Sequence, residues 1–227
     1  MSRTVFNHSG LVRALADLAV AETPESKQSF ADKLGQWLGF SEALSLYSAL
    51  NPGTEQTSPL RTRVGTSAEL RAAFEQVRNA LADSANTTVS EPGADGADFT
   101  PYHRHHLARQ REMSAEIGLL RASVRTALAR RSPALKRLAA LDAVMEQALA
   151  ARERNLLASV PQRLSKRFQH LNAAHLANVD APGQAPQPDG WLAAYCAEMR
   201  TVLLAELELR LRPVDGLIAA LENDMTG

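Results

Sequence analysis

Disulfides are excluded within this 227-residue chain, because it holds a single cysteine, Cys196. One thiol and no bridge suit a reducing compartment. Aromatic residues make up only 5% of the chain, against 45% hydrophobic residues in all, drawn mainly from Ala and Leu. A β-sandwich would need more Val, Ile, Thr and aromatics, so the composition points to close-packed helices. Long apolar runs are also missing. The best stretch, residues 202–221, is interrupted by Glu206, Glu208, Arg210, Arg212 and Asp215, and no segment offers the roughly 20 apolar residues that a spanning helix requires. The amino terminus lacks the apolar core and small-residue cleavage pattern of a secretory signal. The expectation is a soluble, cytoplasmic protein with no direct membrane insertion. Enzyme signatures are absent as well: no GxxxxGK, no GxGxxG after a strand, no HExxH, no GxSxG and no CxxC. With no polar cluster visible on an apolar face, the chain reads as a non-enzyme that needs no cofactor.

The formal net charge is zero, yet the charges are unevenly spread. Residues 1–100 carry 8 Lys/Arg and 12 Asp/Glu, residues 101–178 carry 14 and 5, and residues 179–227 carry 3 and 8. A basic middle between acidic flanks is either neutralised by them or faces an anionic partner.

Residues 132–179 are the longest stretch with a sustained helical apolar period. Leu135, Leu138, Met145, Leu149 and Leu156 form its first stripe, with Asp142 and Arg152 as polar exceptions. Leu157, Val160, Leu164, Phe168 and Leu171 keep helical spacing through Pro161, which predicts a kink near Ser159 or a break with immediate restart. Before this stretch, Met113, Ile117, Leu120, Val124 and Leu128 advance by four, three, four and four, close to a heptad seam. Only Arg131 and Ser132 separate the two patterns, so an antiparallel hairpin is expected.

Start signals recur along the chain. Ser9 is placed to cap a helix over residues 10–22, Thr66 and Glu69 form a capping box, and Thr100-Pro101 and Ser132-Pro133 each read as cap plus proline. Phe30, Leu34, Trp37 and Leu38 form a stripe in a second helix. Ala43, Leu46 and Leu50 share a face in its continuation, bordered by Tyr47. Leu70, Phe74, Val77 and Leu81 mark the helix after Thr66. Residues 205–212 alternate as a strand would, but Leu203, Leu204, Leu207, Leu211, Val214 and Ile218 fall on one helical face, and helix is the better reading. Pro213 should kink or end that helix. The organisation is an N-terminal helical region (1–86), a linker (87–99), a helical hairpin (100–179), a second linker (180–190) and a C-terminal helix (191–227). The fold class is all-α, a partly elongated helical bundle with coiled-coil-like seams.

Chemistry-bearing residues are few. His103 and His106, three apart, are the weak candidates for metal binding, although a closed zinc site needs four ligands and no Cys or carboxylate stands near at a recognised spacing. His170 and His175, five apart, diverge, and Cys196 reads as a small buried hydrophobe. Arg104, Arg111 and Arg125 recur at multiples of seven, and Arg163, Lys166 and Arg167 cluster after Pro161. These six are the candidate partner-binding residues. Such stripes can track phosphates, though little aromatic interleaving accompanies them.

Three segments, SKQSFADKLGQWL (residues 26–38), DFTPYHRHHLARQREM (98–113) and RSPALKRLAALDAVMEQALAARERNLLASVP (131–161), resemble an uncharacterised proteobacterial family, the domain of unknown function numbered thirty-three forty-eight. The family has no established activity to carry over. What the resemblance implies is a cytoplasmic accessory or adaptor role beside membrane-anchored coiled-coil and peptidoglycan-binding proteins. The leading expectation is therefore a scaffold or interaction protein with a protein partner, or a homo-oligomer. The alternatives are a nucleic-acid-binding protein using residues 101–178 and a metal-binding protein using His103 and His106.

Overall fold

Helix starts follow local chemistry. At Thr66 the backbone N–H donates to Glu69 Oε2 at 2.7 Å, and the Glu69 N–H donates to Thr66 Oγ1 at 3.2 Å. This is the reciprocal capping box read from the sequence. At Ser132 the hydroxyl oxygen accepts the Leu135 N–H at 3.3 Å, while Pro133 takes the first helical position, where a missing N–H costs nothing. Thr100 differs from expectation. It is the first helical residue, and its N–H donates at 2.8 Å to Asp98 Oδ1, so aspartate supplies the cap. Ser9 has the extended backbone of a cap, but its side chain makes no capping bond.

The structure, a computed structural model, describes residues 9–18, 37, 39–50, 65–89, 98–179 and 190–224. Its helices are α1 (Gly10–Asp17), α2 (Phe40–Leu50), α3 (Ser67–Ala85), α4 (Thr100–Arg131), α5 (Pro133–Leu157), α6 (Ser159–Val179) and α7 (Gly190–Asn223). Among the described residues there is no strand, and the fold is all-α. The stripe of Phe30, Leu34, Trp37 and Leu38 expected in the second helix lies outside the described residues except for Trp37, as do most of the two linkers.

Pro161 resolves as a break with immediate restart. Helix α5 ends at Leu157, one residue turns, and α6 begins at Ser159. Pro161 thereby falls in the first turn of a new helix, where its lost donor is unneeded. Pro213, in contrast, neither ends α7 nor detaches a short final helix: α7 runs through it to Asn223.

Two compact units divide the chain. One comprises Met1–Pro24, Arg78–Ala115 and Ala158–Leu211, the other Glu25–Val77, Glu116–Leu157 and Arg212–Gly227. Each draws on three separate stretches, whereas the sequence reading set its regions end to end.

The first unit is built around Phe168. Its ring lies 5.5 Å from Phe99, 5.5 Å from Tyr102, 5.3 Å from Trp191 and 5.1 Å from Tyr195, centroid to centroid. Tyr102 meets Tyr195 edge-on at 5.4 Å. Tilted and edge-to-face pairs suit the ring quadrupoles. Leu11, Ala14, Leu18, Leu81, Val160, Leu164, Met199, Val202, Leu203 and Leu207 complete this core.

The second unit pairs α4 with α5 across the Ser132 turn. Ile117, Leu120, Val124 and Leu128 of the heptad-like seam are all buried. Asp142, the polar exception in the α5 stripe, accepts from Arg121 Nη2 at 2.6 Å and from Arg125 Nη1 at 3.3 Å. Glu146 adds bonds from the same two arginines at 3.3 and 2.6 Å. Arg152, the other exception, stands 5.0 Å over the Trp37 ring. Leu156 departs from the expected stripe: it is 62% exposed, and its neighbour Leu157 is buried instead. In the same unit Arg71 bridges Asp215 at 2.6 Å and Glu222 at 3.0 Å.

Ser132→Ala is expected to destabilise the protein by about 1 kcal/mol, because the cap is lost together with the 3.2 Å bond from Ser132 Oγ to Asp224. Urea midpoints would show the loss, and Ser132→Asn should recover most of it by restoring a capping oxygen.

Candidate functional site

The least expected arrangement lies within the first unit, where α4 and α7 bury a polar cluster. The helical period of α4 puts Tyr102, His106 and Met113 on one buried face. On α7 the buried face runs through Val202, Leu203, Glu206 and Leu207. Glu206 is therefore held at 0% exposure among leucines. A buried carboxylate must find donors. Gln110 Nε2 supplies bonds at 3.1 and 3.0 Å to its two oxygens, and Arg210, one turn along α7, donates from Nε at 3.0 Å and Nη2 at 2.8 Å. Arg210 Nη1 reaches on to Ser114 Oγ at 3.1 Å.

His106 completes the cluster at 1% exposure. Its Nε2 lies 3.9 Å from Glu206 Oε2, beyond hydrogen-bond reach. Neither ring nitrogen makes a hydrogen bond among the described residues. Because Arg210 already balances the carboxylate, burial decides the imidazole's state. It pushes the pKa of His106 down to about 4, with His103, His105 and Arg210 acting in the same direction. His105 is lowered too, by burial and by Arg109. The Tyr195 hydroxyl is buried without a hydrogen bond among the described residues, and burial raises its pKa. Arg109 donates to the Ser84 hydroxyl and pairs with Glu112 at 3.2 Å.

This cluster corrects the reading that no apolar face carries polar groups. The signal that could have found it is positional: Glu206 sits between Leu203 and Leu207, inside the stripe read as apolar. The strand-like alternation around it disguised it as a solvated charge.

The residues singled out from the sequence have varied fates. His103 stacks on Phe99 at 5.7 Å, His106 is enclosed with Glu206, and among the described residues no group of three or more His, Cys, Asp or Glu could hold an ion. His170 is exposed, and His175 stacks on Trp191 at 5.9 Å. Cys196 is half-buried and its thiol is pushed up by burial, which disfavours the reactive thiolate.

Of the six partner-binding candidates, Arg104, Arg111 and Lys166 are exposed and Arg163 is half-buried. Arg125 and Arg167 are already engaged, Arg125 with Asp142 and Glu146, and Arg167 with Glu198 at 2.5 Å. The basic middle is thus balanced partly by the acidic C-terminal segment, through Glu198 and, at 3.9 Å from Arg131, Asp224. Within its own helices Glu112 pairs with Arg109, and Asp142 and Glu146 pair with Arg121 and Arg125.

In the second unit α2 presents an apolar strip. Phe40 is 87% exposed, Leu44 55%, Tyr47 65% and Leu50 54%. Their spacing of four, three and three keeps them on one side. Leu46 and Ala49, on the other side, are half-buried, consistent with the packing of α2 against α5. The expected face of Ala43, Leu46 and Leu50 is corrected accordingly, since Ala43 and Leu50 are exposed.

No helix among the described residues is long and apolar enough to cross a membrane. Comparison with known proteins finds no match among curated proteins and none among solved structures. Residues 1–223 match the model of a family described as "Protein of unknown function (DUF3348)". With nearly its whole length covered, the chain belongs to the DUF3348 family.

Proposed function

We propose that the chain is a non-enzymatic interaction protein, an adaptor that docks through α2. The observation that carries this reading is the strip of Phe40, Leu44, Tyr47 and Leu50. Soluble proteins rarely leave large contiguous apolar patches in water unless a partner covers them. The two aromatic rings alone present on the order of 300 Å². Anchors spaced along one helical side match the way an amphipathic helix lies in an apolar groove. The partner that fits is a protein surface with such a groove. The accessory role beside an envelope system rests on family resemblance.

Phe40→Glu with Leu44→Glu tests the proposal. In a cross-linking capture from the native cell, the wild-type chain should retain a protein that the double variant loses. The variant's urea midpoint should stay nearly unchanged, since surface substitutions usually lie within about 0.5 kcal/mol. Light scattering separates the two kinds of partner: a wild-type dimer that the variant converts to monomer makes the groove that of a second copy. Equal capture by both proteins, with equal masses in solution, would overturn the proposal.

A further inference from the structure

The buried cluster of the first unit is more than a packing detail, because it encloses a titratable ring whose charged form finds no free counter-charge there. His106 has 1% exposure and Glu206 has 0%. The carboxylate's bonds go to Gln110 and Arg210, leaving the imidazole 3.9 Å away. A neutral imidazole tolerates that position. A protonated one would put a second cation beside Arg210, out of water, with the Glu206 carboxylate already bonded.

We propose that the α4–α7 contact at His106 is an acid-responsive latch, closed around a neutral imidazole and opened when that ring takes up a proton. Charged groups on every neighbouring element bear on this. On α4 itself His103, the exposed Arg104 and His105 precede His106 in sequence, and Arg109 pairs with Glu112. From α7 come Glu206 and Arg210. Helix α1 meets α7 at Ala205, an added Cβ on Gly10 lying 3.9 Å from it, and its Arg13 and Asp17 are exposed. Helix α3 contributes Arg78, which is paired with Glu208 at 3.1 Å, and the exposed Asp83. Helix α6 contributes Arg163, Lys166 and Arg167, the last held by Glu198. The group best placed to welcome a proton on His106 is Glu206, and Arg210 holds it.

The sign follows from linkage. The folded pKa of His106 is depressed, so the opened chain binds the extra proton. The latch is fully closed above about pH 6.5, the ordinary imidazole value, and weakens as pH falls toward 4. The open-to-closed ratio should rise by roughly 20-fold between pH 7 and pH 5, above the range in which ordinary carboxylates titrate.

Hydrogen-exchange protection factors, corrected for the intrinsic pH dependence of exchange, read this directly. In the wild-type protein, amides of α4 and α7 around residues 106 and 206 should lose protection by that factor between pH 7 and pH 5. In His106→Gln, whose folding at pH 7 is checked by circular dichroism, the loss should fall to a few-fold, the remainder belonging to His105. An equal loss in wild type and variant would overturn the proposal. If the variant does not fold, NMR titration of the wild-type imidazoles decides: His106 protonating near pH 6.5 in a protein that keeps its α4 and α7 protection would also overturn it.

Discussion

Glu206→Leu is expected to lower the unfolding free energy by about 3–5 kcal/mol, although it replaces a charge with an apolar residue in an apolar stripe. The reason lies in what stays behind. Arg210 is 14% exposed and directs its Nε and Nη2 at Glu206. Without the carboxylate, a guanidinium and the Gln110 amide face leucines with their acceptor gone. Removing one partner of a buried pair strands the other, and that desolvation term outweighs any gain from burying leucine. Arg210 keeps its link to Ser114 Oγ and part of its access to water, which places the loss toward the lower end of the range. The companion experiment is a double-mutant cycle with Arg210→Met. Once both charges are gone, most of the stability should return, with a coupling of roughly 1–3 kcal/mol from urea-unfolding free energies. Equal stability of Glu206→Leu and wild type would mean that the cluster is hydrated and energetically idle.

Phe168→Ala should have a comparable effect, about 3–5 kcal/mol, by a different route. The side chain is 2% exposed and touches four other rings contributed by α4, α7 and the residue before α4. Truncation removes its transfer energy, leaves a cavity and breaks four ring contacts at once. Phe168→Leu should recover over half of the loss, because it fills most of the volume. The urea midpoint and the near-ultraviolet circular dichroism of the aromatic cluster should fall together. A full loss in the leucine variant would show that ring geometry matters more than volume.

Features fixed by neighbours in sequence were legible. The capping box at Thr66 and Glu69 needs residues three apart, and Ser132 needs only Pro133 and a free N–H at Leu135. Pro161 could be placed because its chemistry acts on its own turn. Buried stripes such as Leu157, Val160, Leu164 and Phe168 could be read because periodicity records burial. Glu206 was not legible, since its meaning comes from Gln110 and His106, about a hundred positions away. The same holds for α2. Its composition marks it as apolar on more than one side, but which side meets α5 is decided by α5. Phe40 and Leu50 therefore turn outward, where a single-sequence pattern puts Leu50 inside. The basic middle was half legible: its excess charge is plain, while the acceptors of Arg167 and Arg131, Glu198 and Asp224, lie in another segment.

The scarcity of aromatic residues leaves one practical gift. The chain has two tryptophans, and they fall in different compact units: Trp37 beneath Arg152 in the second, Trp191 against Phe168 in the first. Replacing either one by phenylalanine leaves a protein with a single intrinsic fluorophore. Emission from Trp191 then follows the unit that holds the His106 cluster, and emission from Trp37 follows the unit that carries α2. Each half of the molecule can be watched melting by itself, without a label.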